Sequence, residues 1–244
     1  MDELDFHIRL HRPGTLVDVG AHDGLLTLPF ARLPGSRVHA FEPLPSAFAR
    51  LTERLRGAFG AMPPHVVLHD AALGDRDGRI VLTMPLVDGA PQEQWASTAK
   101  DYRAHLSARV ETARFDVAML TLDGLALPDV TAIKLDAEGA EYEILRGARG
   151  TLLRCRPVLS VEIEERHRAG STWAVPAYLD ALGYDMFFEL GGALRPVAEF
   201  DRATMQVASG DPSVFAASDP YVFVFYALPR ELAADMLRRL DAGG

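Results

Sequence analysis

The stretch Leu16-Val-Asp-Val-Gly-Ala-His-Asp-Gly24 constrains this chain more than any other. An apolar run of strand length enters a turn with glycine at 20 and again at 24. Val38-His-Ala-Phe-Glu42 follows 14 residues later, a second apolar run that ends on a carboxylate. Parallel α/β sheets build nucleoside pockets in this way. Glycine lets the backbone turn and approach a ligand, and an acid closing the next strand accepts from ribose hydroxyls.

What the turn lacks narrows the ligand. A dinucleotide fingerprint, G-x-G-x-x-G, needs a second glycine where this chain has His22. Asp18 and Asp23 flank the turn and oppose a pyrophosphate. A cationic ligand with an amino-acid end and no phosphate, such as S-adenosylmethionine, matches that charge. The 244 residues carry a net charge of -9, with no basic cluster dense enough to track a phosphate backbone, so no nucleic-acid partner is expected. This length suits one α/β domain over residues 1–244. The single cysteine, Cys155, excludes an intrachain disulfide and suits a reducing compartment. An acidic start without a positive leader, and no long apolar run, predict a cytoplasmic chain with no membrane partner.

Apolar strands are predicted over 15–18, 38–41, 66–69, 131–135, 157–163, 184–188 and 221–227, with a shorter extended piece over 79–83. Helices are predicted over 25–33, 46–59, 140–153, 175–182 and 230–240. Such alternation gives a mostly parallel sheet covered on both faces. Residues 84–116 break the rhythm with Pro, Gly and Gln before a predicted helix around 99–108. They are expected to form a lid-like insertion at the ligand edge.

Open α/β sheets bind ligands beyond the carboxyl ends of their strands. Those ends here are Asp18, Glu42, Asp70, Asp136 and Glu162 to Glu164, so that five otherwise apolar runs end on acids. Glu42 is expected at the ribose and Asp70 at the adenine amine, with Ala71 and Ala72 leaving room for the flat ring. Asp136 and Glu138 fall nearest the centre of the sheet and the reacting methyl. Glu141, in the first turn of the next helix, has a structural role as a cap.

These segments together resemble the FkbM-type family of S-adenosylmethionine-dependent methyltransferases. The pieces that match are Val17 to Gly24 with Thr27, Ala40-Phe-Glu-Pro43, Ala71 to Asp75 with Gly78, Thr121-Leu-Asp-Gly-Leu125, Ile133 to Glu141, Leu145 to Ala148, and Pro157 to Ile163. The resemblance implies a Rossmann-like class I methyltransferase fold, with a seven-stranded, mostly parallel sheet, an antiparallel last strand, and helices on both faces. It also implies methyl transfer to a hydroxyl of a small molecule, a sugar or secondary metabolite. The cofactor would lie on Asp18, Gly20, His22, Gly24, Thr27, Glu42, Asp70, Ala71 and Asp136. Two departures stand out. His22 replaces the family's usual asparagine, and the usual Glu-x-His after the fifth strand becomes Glu162-Ile-Glu-Glu-Arg-His167, with the histidine displaced.

A hydroxyl must lose its proton as it is methylated. The catalytic candidates are Asp136, His167, His105 and Glu162. No metal is assigned, although a divalent ion on Asp136, Glu138 and Glu162 would be an alternative to a base. Trp95, Tyr102 and His105 in the insertion are candidates for an apolar wall against the acceptor. A small-molecule N-methyltransferase is the rival within the class. An NAD-dependent oxidoreductase would use Glu42 identically but lacks its glycine. A homodimer is the candidate assembly.

Overall fold

The strand that carries the glycine turn lies inside the sheet, buried along its whole length. The computed structural model describes residues 1–87, 89–93, 96–97, 111–210 and 216–241. Its strands are β1 (Gly14–Val19), β2 (Ser36–Phe41), β3 (Val66–His69), β4 (Ala71–Leu73), β5 (Gly78–Val87), β6 (Ala90–Pro91), β7 (Glu111–Leu120), β8 (Val130–Leu135), β9 (Val158–Glu162), β10 (Tyr184–Leu190), β11 (Ala193–Pro196) and β12 (Val224–Pro229). The principal sheet has the order β11-β10-β12-β9-β8-β1-β2-β3. Strands β3, β2, β1, β8 and β9 run parallel. The last strand, β12, is antiparallel and inserts between β9 and β10.

This is the expected class I methyltransferase architecture with one strand more than the expected seven. The eighth is β11, which folds back on β10 through Gly191–Gly192. Both glycines have positive φ, as a two-residue hairpin turn requires. Alternating side chains sort the core into two layers. Val17, Val19, Ile133 and Leu135 pack with Ile144, Leu152, Val175 and Leu179 on one face. Leu16, Val38 and Ala132 pack with Phe6, Phe30, Leu51 and Met236 on the other. Helices therefore cover both faces, each fully buried apolar side chain contributing roughly 1.5–3 kcal/mol.

Three local expectations are corrected. The helix predicted over 140–153 is two, Glu141–Gly147 and Arg149–Cys155. The second is capped from outside: Asp123 accepts from the Gly150 and Thr151 amides at 2.7 and 2.7 Å. That cap gives the Thr121-Leu-Asp-Gly-Leu125 run a structural purpose. An unanticipated helix, Glu3–Arg9, opens the chain, with Asp2 capping the Asp5 amide. Residues 84–86 and 111–113, the ends of the expected insertion, are the arms of an antiparallel β5–β7 pairing. With β4 and β6 these strands make a second, four-stranded sheet. Leu82, Met84 and Val117 bury against Leu44 and Ala47, and that apolar seam explains why the arms are ordered. The helix predicted around 99–108 lies outside the described residues. Among the described residues, no helix is long and apolar enough to cross a membrane.

Candidate active site

Register brings the strand-end residues to one level. Val19 pairs with Phe41 and Leu135, and Leu135 with Val161. The next residue on each strand is Gly20, Glu42, Asp136 and Glu162, and all four line a cavity of about 650 Å³. Gly20 has a φ of 71°, and a Cβ there would stand 1.9 Å from the Asp136 carbonyl oxygen. Only glycine lets the two loops approach so closely.

Lys134 ties those loops together. Its buried ammonium donates to the Val19 and Gly20 carbonyls at 3.2 and 2.8 Å. It also lies 3.6 Å from Asp18 and 3.5 Å from Asp136. Burial alone would lower its pKa, but Asp136, Asp18, Glu3 and Glu162 together hold it above the ordinary lysine range. Asp18 is fully buried at the cavity floor and accepts from the Thr27 hydroxyl at 2.6 Å. Thr27 does not reach the cavity wall; it braces Asp18 from behind. Gly24 is also absent from the wall, turning with φ 84° where a Cβ would meet Leu51 at 2.6 Å.

Glu42 is buried with both oxygens engaged. One accepts from the His22 amide at 2.8 Å and the other from the Leu44 amide at 2.8 Å. Burial pushes its carboxyl up, and these two amides offset part of the rise. Presenting its amide to Glu42 puts His22 at a φ of 47°. The imidazole sits on the rim, 3.8 Å from Glu93 and 3.7 Å from Asp23. Ala71, Ala72, Leu73 and Leu82 form a smooth apolar wall beside Glu42. Asp70 is exposed and lies off that wall, because the chain leaves the principal sheet at residue 70 to enter β4.

The opposite end of the cavity is acidic. Asp136, Glu138 and Glu162 line it, and Ser97 donates to the Glu138 carbonyl at 2.7 Å. Burial raises the Glu162 carboxyl well above its ordinary range, reinforced by Asp136, Glu138, Glu164 and Glu141. Glu141 accepts from the Ala137 and Gly139 amides at 3.0 and 2.9 Å, yet burial still pushes it up to about 7. His167 returns to this cluster through a turn in which its amide donates to the Glu164 carbonyl at 3.0 Å. Its Nε2 lies 3.3 Å from Glu138 and 3.2 Å from Glu164. The histidine that the sequence displaces is thus restored by the turn, one layer behind the cavity wall. His105, Trp95 and Tyr102 lie outside the described residues.

Among the described lining residues nine are carboxylates, Asp2, Glu3, Asp18, Asp23, Glu42, Glu93, Asp136, Glu138 and Glu162, against one lysine. Such a lining selects for positive charge. Over this architecture, residues 18–186 match the model of the methyltransferase FkbM domain. The chain belongs to that family. Its FkbM domain is 31% identical over 159 residues to 2-O-methyltransferase NoeI of Sinorhizobium fredii (strain NBRC 101917 / NGR234), covering 60% of this chain and 63% of that protein. It is also 31% identical over 148 residues to Methyltransferase 1 of Beauveria bassiana (strain ARSEF 2860), covering 54% of this chain and 57% of that one. The chain thus spans less than two thirds of the length of either relative. The crystal structure of Methyltransferase FkbM from Methylobacillus flagellatus KT superposes with a TM-score of 0.56 at 17% identity, covering 89% of this chain and 45% of that one.

Lys134 and Glu3 are among the cavity residues of this FkbM protein that the sequence does not single out. Lys134 was in view within Ile133 to Glu141, but a lysine inside an apolar strand gives no sign of the partners that retain it. Glu3 lines the cavity beside Lys134 and Ser160 from the opening helix, far away in sequence and outside the matched span.

Proposed function

We propose that this chain is an S-adenosylmethionine-dependent methyltransferase that methylates a hydroxyl of a small molecule, a sugar or secondary metabolite. The observation that carries this reading is Glu42. Its carboxylate is immobilised by the His22 and Leu44 amides at the level of Gly20 and Asp136, a ready acceptor for a vicinal diol. The flat wall from Ala71 to Leu73 suits a purine, and the surplus of carboxylates suits a cationic donor while opposing a pyrophosphate. The cavity's volume is also in the range of small-molecule sites.

When bound, S-adenosylmethionine supplies an electrophilic methyl on a positive sulfur. The chain's own work is to hold donor and acceptor in line and to take the hydroxyl proton. Glu42, Gly20 and Ala71 hold the donor side. Asp136 stands between donor and acceptor, where its negative charge favours a cation. The proton is taken at the cluster of Glu138, Glu162 and His167. That cluster favours oxygen over nitrogen as the acceptor, because an alcohol needs a proton acceptor far more than an amine does. The 2-O-methyltransferase among its relatives supports the same choice. The β5–β7 hairpin contributes Leu82 to the apolar wall beside Glu42, on the donor side.

Thermal unfolding with S-adenosylhomocysteine, S-adenosylmethionine or NAD tests the reading. A ligand at 100 times its Kd stabilises by about 2.7 kcal/mol. The two adenosyl compounds should raise Tm and NAD should not. A shift with NAD alone would make Glu42 part of a dinucleotide site instead.

A further inference from the structure

We propose that Glu138, Glu162 and His167 form a binding site for a divalent cation at the acceptor end of the cavity. One ligand atom from each lies within 4.8 Å of the other two. His167 Nε2 is 3.3 Å from the Glu138 carboxylate. Neighbouring ligands of an octahedral ion with bonds of about 2.1 Å stand about 3 Å apart, and opposite ligands about 4.2 Å. The His167–Glu138 pair stands near the spacing of neighbouring ligands. The set differs from Asp136, Glu138 and Glu162, the trio available from sequence, because Asp136 turns to Lys134 while the 164–167 turn delivers His167.

The surroundings point the same way. Glu164 approaches the same imidazole nitrogen, but Arg166 holds its two oxygens at 2.9 and 2.6 Å, and Tyr221 donates to it as well. With both its oxygens engaged by Arg166 and Tyr221, Glu164 leaves Glu138 and Glu162 as the carboxylates that would share an ion with His167. The lysine on the cavity wall is engaged by Asp18 and Asp136, at 3.6 and 3.5 Å. Two carboxylates with one imidazole suit a hard or borderline ion of the magnesium and manganese type.

Glu138 and Glu162 both line the cavity, so the ion's remaining coordination positions would face the acceptor. Two adjacent open positions favour a chelating pair of oxygens. The acceptor class that follows is a vicinal diol, one hydroxyl of which is methylated. This purpose rests on the methyltransferase reading; the site itself does not.

Manganese is the probe. Titrating the full chain with Mn²⁺ and following free ion by electron paramagnetic resonance should show one saturable site, weakened at least ~10-fold in Glu162→Gln and in His167→Ala. Mg²⁺ should compete at the same site. S-adenosylhomocysteine should raise Tm equally in all three proteins, which also shows that the variants are folded. If His167→Ala does not fold, Glu162→Gln carries the test. No binding at millimolar Mn²⁺, or equal affinity in a folded variant, overturns the site. Mn²⁺ binding without any response to S-adenosylhomocysteine would overturn the donor reading and leave the metal site standing.

Discussion

Glu42 and Glu141 are both buried glutamates held by backbone amides, yet they should behave differently when changed. Glu42 faces the cavity, so Glu42→Ala should weaken S-adenosylmethionine binding by about 2 kcal/mol, the worth of a charged acceptor to a hydroxyl pair. Isothermal titration measures this directly, and an unchanged Kd would remove Glu42 from the donor site. Glu141 is completely enclosed and is raised by burial to about 7. A raised carboxyl stabilises the fold fully below the ordinary carboxylate range, and that stabilisation is lost as pH climbs to about 7. Glu141→Gln keeps an oxygen for the Ala137 and Gly139 amides but cannot ionise. Its stability relative to the native chain should therefore improve by ~3 kcal/mol from acid to neutral pH. Urea midpoints of both proteins across that range decide the matter, and parallel curves would show that Glu141 does not titrate there. The strand-end residues Gly20, Glu42, Asp136 and Glu162 were legible because each terminates a continuous apolar run. Asp70 stands off the cavity wall because a strand-end acid on an edge strand can turn to water, and Thr27 because it braces Asp18 from behind.

Among the elements, the opening helix Glu3–Arg9 is the one whose docking should depend on pH. His7 is fully enclosed, its Nε2 is 2.8 Å from the Ser160 hydroxyl, and burial, aided by Lys134, lowers its pKa to about 3. A depressed histidine stabilises above its ordinary range, and the stabilisation fades as pH falls below about 6.5. At pH 5 the helix should have lost about 2 kcal/mol of docking energy. Hydrogen exchange in residues 3–10 should then quicken relative to β1, an effect absent in His7→Gln. Uniform exchange rates at both pH values would contradict it. This helix was hidden from the sequence reading because it is short, though Asp2 ahead of it is a standard cap. The second sheet was hidden for another reason. Strand β7 interleaves Arg114 and Asp116 with its apolar residues and leaves one side to solvent, whereas β1 and β8 are buried at every position.

At the scale of the whole molecule, electrostatics and architecture separate. A net charge of -9 and a cavity lining with nine acids against one lysine should make S-adenosylmethionine binding fall more steeply with salt than that of neutral-sulfur S-adenosylhomocysteine. Calorimetry at two ionic strengths would show it, and identical salt slopes would mean that the acids do not sense the sulfur charge. That the sheet is mostly parallel with helices on both faces was readable from the alternation of strands and helices. The extra hairpin strand β11 was not, since its few residues are mostly exposed and only the paired glycines announce it. The two-sheet plan also divides labour within the cavity wall. Gly20, Glu42, Asp136 and Glu162 lie at strand ends of the principal sheet, whereas Leu82 comes from the β5–β7 hairpin of the second sheet. Lengthening or trimming that hairpin would leave the glycine turn and its lysine tie where they are. A lineage built on this plan could therefore recontour the apolar wall by editing one ribbon, inheriting the strand-end acids unaltered.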